Sequence, residues 1–343
     1  MNAWKLMLLA GFGLLVLAGL SSCGDGDPAE GKRNVVLYTS LNEPTTRAVT
    51  DVFERETGIE VAIRSDTERD KTVGLVRRLI EEKSNPRADV FWCSETGNMV
   101  RLKLEGILAR PDPLPTDAEK IPAQYRDPDG TWFGFAARAR VLIVNTEMVA
   151  RGNYPKSMWD IVEYQGDPRA GIVKPVTGTT LTHMSALFEV LGDETTNSFL
   201  ERIKEVNLQP GNGRLANLVG EGKLPFGFTD TSDYRLVKNE GKPVDVVYPD
   251  QEGIGTLVIP NTVAIIVGGP HPGEARALLE FLLSDRAEEI LANHQRGHIP
   301  LKPGITHPPE VKLPGEFKTM DVDLNAVGAR IGERLLEMHE RFN

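Results

Sequence analysis

At 343 residues, with 40% apolar and 26% charged side chains, the chain has a globular composition and the length for two lobes, each with its own core. A formal charge of −10 and a sequence pI near 5.3 exclude the basic face that nucleic acid requires, so no nucleic-acid partner is expected.

In chain order, Lys5 precedes an apolar run from Leu6 to Leu20. That run fits a signal-peptide core of ~7–15 residues and falls short of the roughly 20 residues that span a bilayer. It ends in Leu20-Ser21-Ser22-Cys23, which resembles a bacterial lipobox, small residues before a cysteine that is lipidated. Residues 1–22 therefore read as a lipoprotein signal peptide, Cys23 as the lipidation site, and 23–32 as a tether. The expected location is the periplasmic or extracellular face of a bacterial membrane, with the lipid as anchor. Cys93, behind Phe91-Trp92, reads as a buried small hydrophobe.

Asn34 to Tyr38 predicts a strand, and the apolar spacing of Val49, Val52 and Phe53 predicts a helix ended by Gly58. Ile59–Arg64 and Ala88–Trp92 read as strands, Lys71–Glu82 and Glu95–Glu105 as helices. Strands alternating with helices predict an α/β fold with a mostly parallel sheet and ligand sites beyond the strand C-termini. A Pro- and Asp-rich loop over 111–130 interrupts the alternation, and Thr131–Asn145 reads as a crossover out of the first lobe. Further helices are expected at 158–164, 181–191, 198–206 and 213–221, with strands at 172–173, 226–228, 244–248 and 256–266. Single long amphipathic helices are expected over 273–292 and 322–341.

Phe228-Thr-Asp-Thr-Ser-Asp-Tyr-Arg235 is the stretch around which a site would be organised: a strand ends in a cluster of oxygen-bearing side chains and a helix follows. Such a cluster reads either as an N-cap or as the floor of a binding cleft. Other strand-to-helix loops supply Ser40, Asn42 and Thr96, and the turn Thr177-Gly178-Thr179-Thr180. Facing lobes would bring these edges, with Thr231 and Ser232, to one ligand-binding cleft. The threonine turn has the hydroxyls and N–H groups of an anion cradle, and Arg138, on the same strand face as Arg140, can reach the same anion. Glu95, Asp230 and Asp233 suit a hard metal ion or an ammonium group.

The segments Val35-Val36-Leu37-Tyr38-Thr39-Ser40, Phe53 to Val61, Ala88-Asp89-Val90-Phe91 with Glu95, Arg138-Ala139-Arg140-Val141, and Pro260-Asn261-Thr262 occur in an order and spacing that resemble the substrate-binding components of ABC importers. The branch is that of two-lobed periplasmic binding proteins that includes the ferric-iron-binding proteins. The resemblance implies a class II periplasmic-binding-protein fold, with a first lobe of 33–137 and 255–305 and a second of 138–254 and 306–343. It implies capture of Fe(III) or another hard metal with a synergistic anion, no catalytic cofactor, a monomer, and an ABC permease as partner. Family ferric sites use a His or Tyr in the first loop, a Glu after the third strand and two adjacent tyrosines in the second lobe. Here Asn42 lies near the first position and Glu95 at the second, while Ser232 and Asp233 stand where the tyrosine pair would be and Tyr234 falls one place late. The same inventory fits a small zwitterionic or anionic solute such as an aminoalkylphosphonate. A secreted hydrolase is a further alternative, against which stands the lack of His-Glu-x-x-His and Gly-x-Ser-x-Gly motifs.

Overall fold

The computed structural model describes residues 33–65 and 71–342; the expected signal peptide over 1–22, Cys23 and the expected tether over 23–32 lie outside the described residues. Strand β1 (Asn34–Thr39) delivers the chain to Asn42, whose side chain accepts from Thr45 N at 3.1 Å and so caps α1 (Glu43–Thr57). Pro44 occupies the first turn, and Gly58, in left-handed backbone at φ 70°, ends the helix. The alternation continues through β2 (Glu60–Ser65), α2 (Lys71–Glu81), β3 (Val90–Cys93), α3 (Gly97–Leu104) and the short β4 (Leu108–Ala109). Strand β5 (Phe133–Asn145) is buried along all its 13 residues.

The second half runs α4 (Asp160–Glu163), β6 (Gly171–Val173), α5 (Gly178–Arg202), β7 (Asn207–Gln209), α6 (Asn212–Gly220), β8 (Phe226–Asp230), α7 (Thr231–Asn239) and β9 (Val244–Val247). It returns through β10 (Val258–Ile266), then closes with α8 (Pro272–Leu282), α9 (Asp285–Asn293), α10 (Leu324–Ala329) and α11 (Ile331–Phe342).

Strand order β2-β1-β3-β10-β5-β8-β6-β7 joins both lobes into one sheet. The outer strands pair in parallel on each side, β1 with β2 and β3, and β6 with β7 and β8. The antiparallel strands β5 and β10 occupy the middle. The N-terminal half of β5 pairs with β10 and its C-terminal half with β8, so β5 is the crossover expected from the sequence. Within the β10-paired half, where the register shifts between Phe135 and Arg138, Ala136 takes φ 43°, and the buried Glu288 carboxylate accepts from Ala136 N, Leu301 N and Lys302 N at 2.9, 3.0 and 3.2 Å. Three N–H donors compensate a carboxylate that is 1% exposed and stitch the return segment to the crossover.

Three expectations change. The helix expected over 273–292 is two helices, because Ser284 adopts extended backbone and its Oγ accepts from Ala287 N at 3.2 Å, starting a new N-terminus. The C-terminal helix is likewise divided, into α10 and α11, at Arg330. This C-terminal segment is also not confined to the second lobe. A Cβ at Gly328 would collide with Val100 of α3, and one at Gly97 would press tightly on Ile331 at 3.0 Å, while Arg334 lies 3.5 Å over the Phe188 ring of α5. Helices α10 and α11 therefore strap the two halves together. Cys93 is buried as expected, and burial pushes its thiol well up from the ordinary range.

Candidate functional site

Strand β8 carries Phe226 and Phe228 into the interior and ends at Asp230, which occupies the cap position of α7. Its carboxylate makes no cap bond. Instead it accepts from Arg140 Nη1 at 2.7 Å, Thr179 Oγ1 at 2.8 Å and Asn212 Nδ2 at 3.0 Å. The Arg140 guanidinium lies 4.5 Å over the Phe228 ring, and it also donates to Thr179 and Asn212 at 3.2 Å and to Thr180 at 3.3 Å. A buried ion pair is tolerated where such bonds satisfy most of its remaining groups, and here Arg140 Nε is left without a hydrogen-bond partner. This one ties together β5, β8 and the first turns of α5 and α6.

Above it lies a cavity of about 1000 Å³ that draws walls from both halves of the chain. Ser40 and Asn42 line it from the first lobe; Arg138 from the crossover; Thr177, Gly178, Thr179 and Thr180 from the α5 turn; Asp230, Ser232 and Asp233 from the β8–α7 junction. These expected residues converge although they are far apart in sequence. Gly178 turns the backbone at φ 59°, which lets the threonine turn enter α5 without a side-chain cap.

Three expected residues do not reach the cavity. Glu95 is fully buried and is occupied by Asn98, through N at 3.2 Å and Nδ2 at 3.0 Å, and by Thr182 Oγ1 at 2.9 Å. Thr96 is fully buried beside it. Thr231 spends its hydroxyl oxygen accepting from Ala139 N at 3.1 Å. Among the described residues no group of three His, Cys, Asp or Glu gathers as a metal would require, so the set Glu95, Asp230 and Asp233 does not assemble.

Asp233 meets Arg296, which follows α9, at 3.0 Å across the cavity. Burial raises the Asp233 carboxyl above the ordinary range, with Arg296 opposing the shift. Arg138 donates to Asn261 Oδ1 at 2.5 Å, and burial lowers its pKa while leaving it a cation. Burial first, and then Arg138, hold His298 well below the usual imidazole range, so this wall residue is neutral at pH 7.

The sequence reading missed Asn212, Arg296, His298, Arg214 and Lys223 in the cavity wall. Gly211-Asn212-Gly213 was a usable signal: two glycines around a short amide mark a close approach of backbone to a site. Arg296 and His298 sit on either side of Gly297, whose backbone turns at φ 54°. Tyr234 does not substitute for a tyrosine pair; it is half-buried away from the cavity, and burial raises its hydroxyl to about 12.

The chain is similar in sequence and fold to known proteins. "Iron uptake protein A1" of Synechocystis sp. is 26% identical over 98% of this chain and 97% of its own length. The "Fe(3+)-binding periplasmic protein" of Serratia marcescens is 24% identical over 77% of each chain. The crystal structure of iron-bound HitA from Pseudomonas aeruginosa superposes with a TM-score of 0.82 at 24% identity, covering 91% of this chain and all of that one, a likeness of fold. Residues 48–319 match the family described as bacterial extracellular solute-binding protein, and the chain belongs to that family.

Proposed function

We propose that the protein is the extracytoplasmic solute-binding component of an ABC importer and that its cargo is ferric iron held together with a chelating anion. The observation that carries this reading is the convergence of the α5 threonine turn, Arg138, Asp233 and Arg296 on one cavity between the two halves of the chain. The anion would sit on the threonine turn and the arginines, with Asp233 turned toward the metal. Because no three His, Cys, Asp or Glu side chains gather among the described residues, the anion would supply most of the oxygen ligands. Capture would bring the two lobes together, and the closed form would be presented to the permease. Cys23 would anchor a monomer to the membrane by its lipid, and no reaction is assigned.

A second reading, a small zwitterionic phosphonate, draws on the Asp233–Arg296 pair, which a ligand carrying both an ammonium and an anionic end could split and satisfy. Thermal unfolding of the full chain in detergent, with ferric citrate and with 2-aminoethylphosphonate, separates the two. Stabilisation by several degrees with ferric citrate is expected from linkage. Stabilisation by the phosphonate alone would favour the second reading, and no response to either would remove both.

A further inference from the structure

The strap formed by α10 and α11 holds the two lobes by unlike means. To α5 of the second lobe it is tied by charge: Arg334 meets Asp193 at 3.4 Å, and Arg341 donates to Asn197 at 2.6 Å and meets Glu201 at 3.3 Å. Lys174, after β6 of the same lobe, donates to the Phe342 carbonyl at 3.0 Å. Its contacts with α3 of the first lobe are steric. A Cβ on Gly328 would lie 2.4 Å from Val100 Cβ, and one on Gly97 would lie 3.0 Å from Ile331. Glycine inside a helix weakens it, and Gly328 has no left-handed backbone that demands it, so the close approach of α3 accounts for its presence. The strap therefore travels with the second lobe and abuts the first.

This seam lies behind the hinge strands. Arg138, in the cavity wall, donates to Asn261 of β10, and the next residue, Thr262, donates from Oγ1 to the Glu95 carbonyl at 2.8 Å. Neighbouring residues of a strand point to opposite faces, so β10 separates the cavity from Glu95. Glu95 in turn borders the seam: its Oε2 lies 3.2 Å from where a Gly97 Cβ would be and accepts from Thr182. Lobes that rotate about β5 and β10 to narrow the cavity must part on the opposite face.

We infer that the strap is a counter-latch: seated on α3 it holds the cavity open, and its fit sets the affinity for cargo from outside the cavity. The inference rests on the solute-binding reading and deepens it by naming what regulates closure. A ligand that closes the lobes has to unseat the seam, so a better-fitting seam means a lower apparent affinity and a worse one a higher. Gly328 is the control point, because one methyl group there overfills the seam.

Spin labels at Glu56→Cys on α1 and Glu240→Cys at the end of α7, both exposed, report the distance between lobes by double electron–electron resonance of the ligand-free full chain in detergent. Calorimetric titration with ferric citrate reports affinity. Gly328→Ala is expected to shorten that distance and to tighten ferric citrate about tenfold by raising the closed fraction. Gly332→Ala in α11 is the control: its Cβ would meet Arg101 Nε at 3.9 Å, an ordinary contact, so both readouts should stay unchanged. Ile331→Val trims the seam instead of overfilling it, should move both readouts the same way as Gly328→Ala, and carries the test if that variant does not fold. Unchanged distance and affinity would overturn the inference. A longer distance with weaker binding would overturn it as well, because the strap would then be a clasp that holds the cavity shut. So would an effect of Gly332→Ala equal to that of Gly328→Ala. If ferric citrate binds neither wild type nor variants, the proposed cargo falls, while the distances still decide for or against the latch.

Discussion

Thr182 Oγ1 donates to Glu95 Oε2 at 2.9 Å, a bond from helix α5 of the second lobe to the loop after β3 of the first. Glu95 is therefore placed to join the lobes beneath the cavity. Glu95→Gln preserves shape and loses the charge that accepts from Asn98 and Thr182. It is expected to lower unfolding free energy by ~1–3 kcal/mol, the range for hydrogen bonds to a buried charged group, while ligand binding survives. Urea denaturation and calorimetry check both halves; abolished binding with intact stability would return Glu95 to the site.

Asp230 and Arg140 form the structural pair under the cavity, both nearly inaccessible. Asp230→Ala would strand a buried guanidinium and should cost roughly 3–5 kcal/mol. A loss below about 1 kcal/mol by urea denaturation would mean that the pair contributes little to the fold.

Asp233 and Arg296 are the pair a cargo is free to break. Asp233→Ala releases Arg296, so ferric citrate should lose its advantage over metal-free citrate while citrate itself binds as well or better. The ratio of the two affinities reads this directly, and an unchanged ratio would take Asp233 out of the metal's reach.

His183 gives a pH dependence with a definite sign. It is buried in α5, edge-on to Phe228 at 4.9 Å, with neither ring nitrogen bonded. Burial first, and then Arg140, hold its pKa well below the ordinary imidazole range. Below about pH 6.5 the unfolded chain takes up a proton there and the folded chain does not. The stability present above that pH is lost as pH falls toward the folded pKa, by up to ~1.4 kcal/mol per pH unit. The stability difference between wild type and His183→Leu, measured from pH 7.5 to 5.0, should shrink accordingly; a constant difference would show that His183 titrates alike in both states.

Much of the fold was legible because the alternation of apolar strands and helix-period segments is strong: α1 ends at Gly58 and β5 crosses between halves as the pattern implied. The divided α8–α9 helix was not, because Ser284 is polar in a helix-compatible position and reveals itself as a cap only through its backbone. At the site, loop positions told which residues would approach one another, and ten of them share the cavity. What sequence could not give was how each side chain is spent. Glu95 and Thr231 have the right chemistry at the right strand ends, yet their hydrogen bonds go to Thr182 and Ala139. Arg296 carries no motif at all and enters the wall only through the tertiary packing of α9.

The most direct measurement is an iron anomalous-difference map from crystals of the protein loaded with ferric citrate. The account predicts one iron peak inside the cavity, with citrate density against Arg138 and the Thr177–Thr180 turn and Asp233 drawn from Arg296. Iron bound elsewhere, or held by protein side chains with no anion beside it, would contradict it.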